Sequence, residues 1–443
     1  MPPQLAPSPM PPSQRRARPR SRRGARSGRT LALTITLALA LVAAACGGGE
    51  DPSDLTFTDE STTTTTEATT TSTTASADAD TDGVEEAEVP RFGPADGSTA
   101  DGTPTTVGSG LPPAVVGLPE SGGDPDGIYR GTIGTLDPDE VVAAGAVSPP
   151  RTEAGTLPLT GQAGTVPDRP AAVVKIDNGS AADPHAGLNA ADIVIEEEVE
   201  GGVTRFAAVF HSTPSIVGPV RSGRTTDIAL ISGLGSPILL YSGANAITQG
   251  ILVDQDDIEL RAEGWSSGFW RDGNRRAPSN LFTDTTPHWA SSASPPPPAQ
   301  FHYRQPGDPV DGASVEEVSI AYPSSVARWV WDGSVWLRWQ RGAEHRLASG
   351  QQVTAANVVV IEAEEVDTGM VDASGGAVPE FVFVGSGRAT VFTEGRRIEG
   401  TWTRPTLDSV ATLTVGPGRP IELTPGRTWI QLVEAGANAF SSS

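Results

Sequence analysis

The chain has 443 residues, with 54 acidic and 31 basic side chains and a formal net charge of −23. Bulk charge of that sign does not attract nucleic acid or anionic lipid, so an anionic ligand needs a local arginine cluster. One cysteine excludes an internal disulfide and a thiolate zinc site, and one lysine, Lys175, stands where every other basic side chain is arginine.

Residues 1–29 hold eight arginines and no acid, and an apolar run from Thr30 to Ala45 then leads to Cys46. A basic start, a short apolar stretch and small residues make 1–45 a secretory signal peptide, too short for a comfortable membrane span. Cys46, directly after Ala44-Ala45, stands where bacterial lipoproteins carry their lipidated cysteine, although Ala43 replaces the usual Leu. The expected location is extracytoplasmic, on the outer face of the cell membrane, with lipidated Cys46 as the anchor. Ser21-Arg22-Arg23 lacks the apolar residues that twin-arginine export needs after it, so the general secretory route is expected. Losing the eight arginines of the signal takes the formal net charge from −23 to −31. Residues 46–165 are rich in Thr, Gly, Pro and acid and read as a disordered tether, with "GIYRGTIGTLDPDEVVAAG" as the one stretch that could order.

The fold class expected beyond the tether is α+β or α/β: a mixed α/β domain over 166–300, then a mostly antiparallel β domain over 315–435. "AAVVKID" is a buried strand whose alternation places Lys175 and Asp177 on one face. Lys175 is either a strand-end lysine reaching water or a site residue. "ADIVIEEEVEGGVTRFAAVFHS" reads as a hairpin turning at Gly201-Gly202. A two-residue loop there pairs Glu198 with Arg205 and Glu196 with Ala207, giving a polar face of Asp192, Glu196, Glu198, Glu200, Arg205 and His211. That register leaves Glu197 on the apolar face. In "VGPVRSGRTTDIALISGL", Arg221 and Arg224 precede a short helix, where guanidiniums and free amides can hold an anion or pair with the hairpin acids. "SPILLYSGAN" is a further strand and "AITQGIL" a helical turn. "FWRDGNRRAPSNLFTDTTPHW" is irregular and carries the basic cluster Arg271, Arg275 and Arg276.

Taken together, "RPAAVVKIDN", "GLNAADIVIEEEVEGGVTRF", "VGPVRSGR", "RRAPSNLF" and "PGRTWIQLV" resemble the YerB-like family of bacterial lipoproteins, a two-domain family of unknown function. The resemblance runs from about residue 166 to 435. It implies an extracytoplasmic lipoprotein and brings no reaction. The family pattern falls on Asp177, Asn178, Glu196, Glu200, Thr204, Arg205, Arg221, Ser222, Arg224, Pro278 and Asn280. Ser279 departs from the family's His, and Glu198 from a commonly apolar position.

Pro295 to Pro298 mark the expected boundary, beyond which the chain reads as β. "VARWVWDGSVWLRW" is a hairpin with Trp329, Trp331 and Trp336 on one face, as core or as a sugar-stacking surface. "NVVVIEAEEV", "EFVFVGSGRATVFTEGRRIEGTWTR" and "RTWIQLV" supply further strands, with turns at Gly385–Gly387 and Gly395.

Signals for catalysis are weak. "GWSSG" lacks the helix that a nucleophile elbow needs. The five histidines show no metal-ligand spacing, and Asp254, Asp256 and Asp257 meet Glu259 where a calcium loop needs Gly, so no metal site and no cofactor are expected. The favoured function is binding of an envelope glycan or polyanion, or an envelope protein, through Lys175, Asp177, Asn178, Glu196, Glu200, Thr204, Arg205, Arg221, Ser222, Arg224, Arg275 and Asn280. Two alternatives stay open: a glycan hydrolase using Glu196 and Glu200 as paired carboxylates, and a structural adaptor acting through the β domain.

Overall fold

A computed structural model describes residues 128–132, 147–372 and 375–443. Cys46 and the expected signal peptide over 1–45 lie outside the described residues. Within the tether expected over 46–165, residues 128–132 are docked: Arg130 N donates to Thr368 O (2.7 Å) and Tyr129 Oη to Glu380 Oε2 (2.6 Å). Ordered chain also begins before residue 166, because Leu159 is buried in the core and Thr156 bridges Ala163.

The centre is a twelve-stranded mixed sheet. Its strands are β1 (Ala172–Asp177), β2 (Ile193–Glu198), β3 (Thr204–Phe210), β4 (Ile238–Tyr241), β5 (Glu259–Ala262) and β6 (Ala313–Ser314), followed by β7 (Asn357–Val371), β8 (Ala377–Val382), β9 (Gly385–Thr393), β10 (Arg396–Arg404), β11 (Thr412–Thr414) and β12 (Thr428–Glu434). The spatial order is β6-β10-β9-β7-β12-β2-β3-β1-β4-β5, with β8 on β7 and β11 on β10. Strands from both sides of the proline run therefore share one sheet, and β12 pairs in parallel with β2 on one side and β7 on the other. Pro295–Pro298 do not divide the core, since Ala299 and Phe301 beyond them are buried in it.

Both faces of this sheet are covered, which is why β1 reads as a continuous apolar run. One face sends Val173, Ile193, Ile195, Val209 and Ile361 against the helix α1 (Thr226–Ile231). The other sends Val174, Phe206, Phe210, Val358 and Trp429 against a second sheet that includes Glu317–Tyr322, Ser325–Trp331 and Trp336–Gln340. Trp329 and Trp336 are fully buried there, and Trp331 packs against the same core. Of the two readings of the tryptophan face, core or sugar-stacking surface, the structure shows the core.

The expectation of a mixed α/β first domain is met only coarsely, because the fold is mostly β with few helices. The helices α1, α2 (Ala246–Val253) and α3 (Thr285–Ala290) hold six, eight and six residues. The stretch expected to be irregular contains paired strands, Phe269–Arg271 with Leu281–Asp284, as well as α3. Gly385–Gly387 open β9 instead of forming a turn. A Cβ at Gly387 would lie 2.5 Å from Glu362 O and from Trp402 Nε1, the two atoms that bond across it.

Candidate functional site

The β2–β3 register differs by one from that expected. Val199 N donates to Val203 O around the three-residue loop 200–202, so Glu197 faces Arg205 and Glu198 faces Thr204. Gly201 and Gly202 both take positive φ (73° and 70°), which adds one residue to the loop. The expected polar face therefore divides between the two faces of the sheet.

On the helix-covered face, Lys175 is fully buried mid-strand between Glu197 Oε1 and Asp227 Oδ1 (2.5 Å for the latter), not at a strand end. Asp227 Oδ2 in turn accepts from Arg224 N (2.7 Å), so the ammonium anchors the start of α1. Burial pushes the Glu197 carboxyl upward, and Asp227 adds to that while Lys175 opposes it. Arg224 Nη2 donates to Glu200 Oε2 (2.6 Å), and Arg221 Nε lies 3.3 Å from Asp177 Oδ2. Burial acts to raise Asp177, but Arg221, the Ser279 hydroxyl (2.7 Å) and the Gly179 amide outweigh it and hold the carboxyl low. Arg205 is 8% exposed and donates from Nη1 to Ser222 O (3.0 Å). No carboxylate among the described residues lies within 4.0 Å of it, because Lys175 has taken its cross-strand partner Glu197. Burial, with Arg224 and Arg221 beside it, lowers Arg205 to about 10, so the guanidinium stays charged at neutral pH.

On the opposite face, Glu196 accepts from Thr204 Oγ1 (2.8 Å), Asn178 Nδ2 (3.2 Å) and Arg338 Nη2 (2.7 Å). Arg338 lies over the rings of Trp429 and Phe206, at 4.9 and 5.3 Å. Glu196 and Glu200 are thus held by separate arginines on different faces, and the paired-carboxylate hydrolase loses its geometry. Arg275 and Asn280 do not join the cluster: Arg275 braces the 182–184 loop through Pro184 O and Ala182 O, and Asn280 accepts from Arg271 (2.7 Å).

Asp183, His185 and His345 were not foreseen, and they bring three potential metal-ligand atoms together. Arg338 Nη1 donates to His345 Nδ1 (2.7 Å), since a guanidinium only donates. His345 Nε2 must then carry the proton it gives to His185 Nδ1 (2.9 Å), and His185 Nε2 donates to Asp177 O (2.7 Å). Burial and Arg338 depress His345 well below its ordinary value, consistent with a neutral ring. Asp183 Oδ1 lies 3.2 Å from His185 Nδ1 and accepts from Gln340 Nε2 (3.0 Å), and Arg341 holds its other oxygen, so the potential ligand atoms of the trio are engaged within the protein, and Arg338 links His345 to Glu196. The one signal for Arg338 in the sequence is that it shares a strand face with Trp336.

Known proteins resemble this chain over the same region. The N-terminal domain of the family described as protein of unknown function (DUF3048) matches residues 159–294, and its C-terminal domain matches residues 318–430. A Bacillus subtilis (strain 168) protein named "Putative lipoprotein YerB" is 26% identical over 284 residues, 60% of this chain and 81% of its own length. The crystal structure of YerB from Bacillus subtilis shares the fold with a TM-score of 0.55 at 24% identity, covering 65% of this chain and 99% of that one. With both domains matched in order, over residues 159–294 and 318–430, the chain belongs to the DUF3048 family.

Proposed function

We propose that this chain is an extracytoplasmic lipoprotein, anchored through lipidated Cys46, that binds an anionic envelope component through Arg205, Arg221 and Ser222. The carrying observation is Arg205, a buried guanidinium without a carboxylate partner, beside an Arg221 side chain that is 27% exposed. Three guanidiniums here, Arg205, Arg221 and Arg224, meet two carboxylates, Asp177 and Glu200. Beneath them Lys175 meets Glu197 and Asp227. An anion bound at the surface would add charge-assisted hydrogen bonds to the guanidiniums above. The lipoprotein relative supports the envelope setting.

Thermal unfolding of the mature chain with teichoic-type polyanions and peptidoglycan fragments tests this reading. A ligand at a hundred times its dissociation constant should add about 2.7 kcal/mol to the wild type. That gain should vanish in Arg221→Ala and Arg205→Ala. Stabilisation by no anion, or equal stabilisation of the variants, would refute the reading.

A further inference from the structure

We infer that residues 128–132 are a releasable strap: docked, they hold the tether against a seat on β7 and β8, and released, they let the folded region stand further from Cys46. The inference goes beyond the binding reading and rests on its lipid anchor only for that last consequence. The seat is built into the strands. β7 and β8 pair in register from Glu364 with Val382 to Asp367 with Pro379, and the register then shifts before Val371 meets Ala377. Within that irregularity Gly369 takes φ 75°, and a Cβ there would lie 2.8 Å from Ile128 O and 3.3 Å from Arg130 Cδ. Any other residue at this position would meet the strap as well as a strained backbone. Arg130 N donates to Thr368 O (2.7 Å) at the same bulge.

Beside the bulge, Glu380 of β8 is fully buried. Among the described residues its hydrogen bonds come from the strap alone: Tyr129 Oη to Oε2 (2.6 Å), Thr132 N to Oε1 (2.7 Å) and Thr132 Oγ1 to Oε1 (3.1 Å). A buried carboxylate needs such donors, so Glu380 is satisfied within the protein only while the strap is docked. Gly131 makes the reach possible, because a Cβ there would fall on the Tyr129 ring that crosses it. The strap joins no β-ladder, and Ile128 and Arg130 on it are exposed. It also lies upstream of the family match, which begins at residue 159. When it lifts, water replaces the three donors at Glu380, so opening strands no charge and needs no unfolding of the sheet. β8 also borders the arginine cluster, since Phe381 N donates to Thr226 Oγ1 (3.4 Å) in α1 and a Cβ at Gly376 would lie 3.5 Å from Glu200 Cβ. After release the next described segment begins at Val147, and the lead from Cys46 grows by up to about 65 Å of extended chain.

Amide hydrogen exchange, recorded by NMR on the mature chain without lipid, tests the inference. The amides of Arg130 and Thr132 should exchange about tenfold or more slower than in a free peptide of residues 126–134, and about tenfold or more faster than those of Val359 and Val360 in β7. Gly131→Val, a change confined to the strap, should bring both amides to within about twofold of the peptide rate and leave the unfolding midpoint of the folded region unchanged. Tyr129→Phe and Glu380→Ala should each quicken the exchange, and adding the first to the second should change little further, because both act on one contact. Exchange of Arg130 and Thr132 only as fast as β7 would make the segment a fixed part of the fold, and peptide-like exchange in the wild type would mean that it does not dock; either result overturns the inference. Wild-type exchange in Gly131→Val overturns it as well. The measurement involves neither lipid nor anion, so its failure leaves the binding reading standing, and failure of that reading leaves the strap in place.

Discussion

Lys175 is the one position where this chain uses an ammonium, and its surroundings account for it. A compact cation can sit between Glu197 and Asp227 with no exposure, whereas a planar fork needs room for five donors. Lys175→Met leaves two buried carboxylates without their cation and should cost roughly 3–5 kcal/mol in urea unfolding. Arg338→Met should cost a similar amount, roughly 3–5 kcal/mol, by stranding Glu196, and adding Glu196→Gln should recover part of it. Glu198 gives a pH signature. Burial, then Glu365 and Glu434, raise its carboxyl from 4.5 to about 7. A carboxyl raised on folding binds more protons in the native state, so this group's contribution to stability falls as pH rises through that window. Glu198→Gln should flatten the decline between about pH 5 and about pH 8, read as unfolding midpoints. An unchanged slope would place the titration elsewhere. At this scale the sequence located the arginines and acids but not their pairings, since Glu196 and Arg338 meet across 142 positions.

At the scale of elements, β1, β2, β3, β4, β7, β12 and the tryptophan hairpin were legible from apolar runs and glycine turns. The β2–β3 register was not. A sheet buried on both faces places apolar residues at successive positions, so alternation cannot choose between a two-residue and a three-residue loop. The structure chooses through Gly201 and Gly202, and a Cβ on Gly202 would lie 2.7 Å from Pro323 Cβ. Gly202→Val combines that clash with a positive φ of 70° and should destabilise by about 2 kcal/mol in a denaturant titration. Wild-type stability in this variant would mean that the loop can change its conformation without loss. The strands Phe269–Arg271 and Leu281–Asp284 escaped detection because each is only three or four residues long and they are joined by a polar, glycine-containing stretch.

Across the whole molecule, the two family segments build one sheet. The pairing of Ile193–Glu196 with Thr428–Gln431 joins residues from opposite ends of the folded region, and no local pattern announces such a contact. Residues 147–300 expressed alone should therefore lack a cooperative unfolding transition by circular dichroism, and co-expression with 301–443 should restore it. A cooperative transition in the isolated fragment would show that β1 to β5 suffice for a core.

The central place of β12 also bears on biosynthesis. A strand late in the chain, Thr428–Glu434, fills the middle of the sheet between β2 and β7. A chain made from its amino end cannot complete this sheet until residues 428–434 have emerged. Until then the edge of β2 stays unpaired and open to chaperones or proteases. A chain that stops before residue 428 is left without the strand that joins β2 to β7.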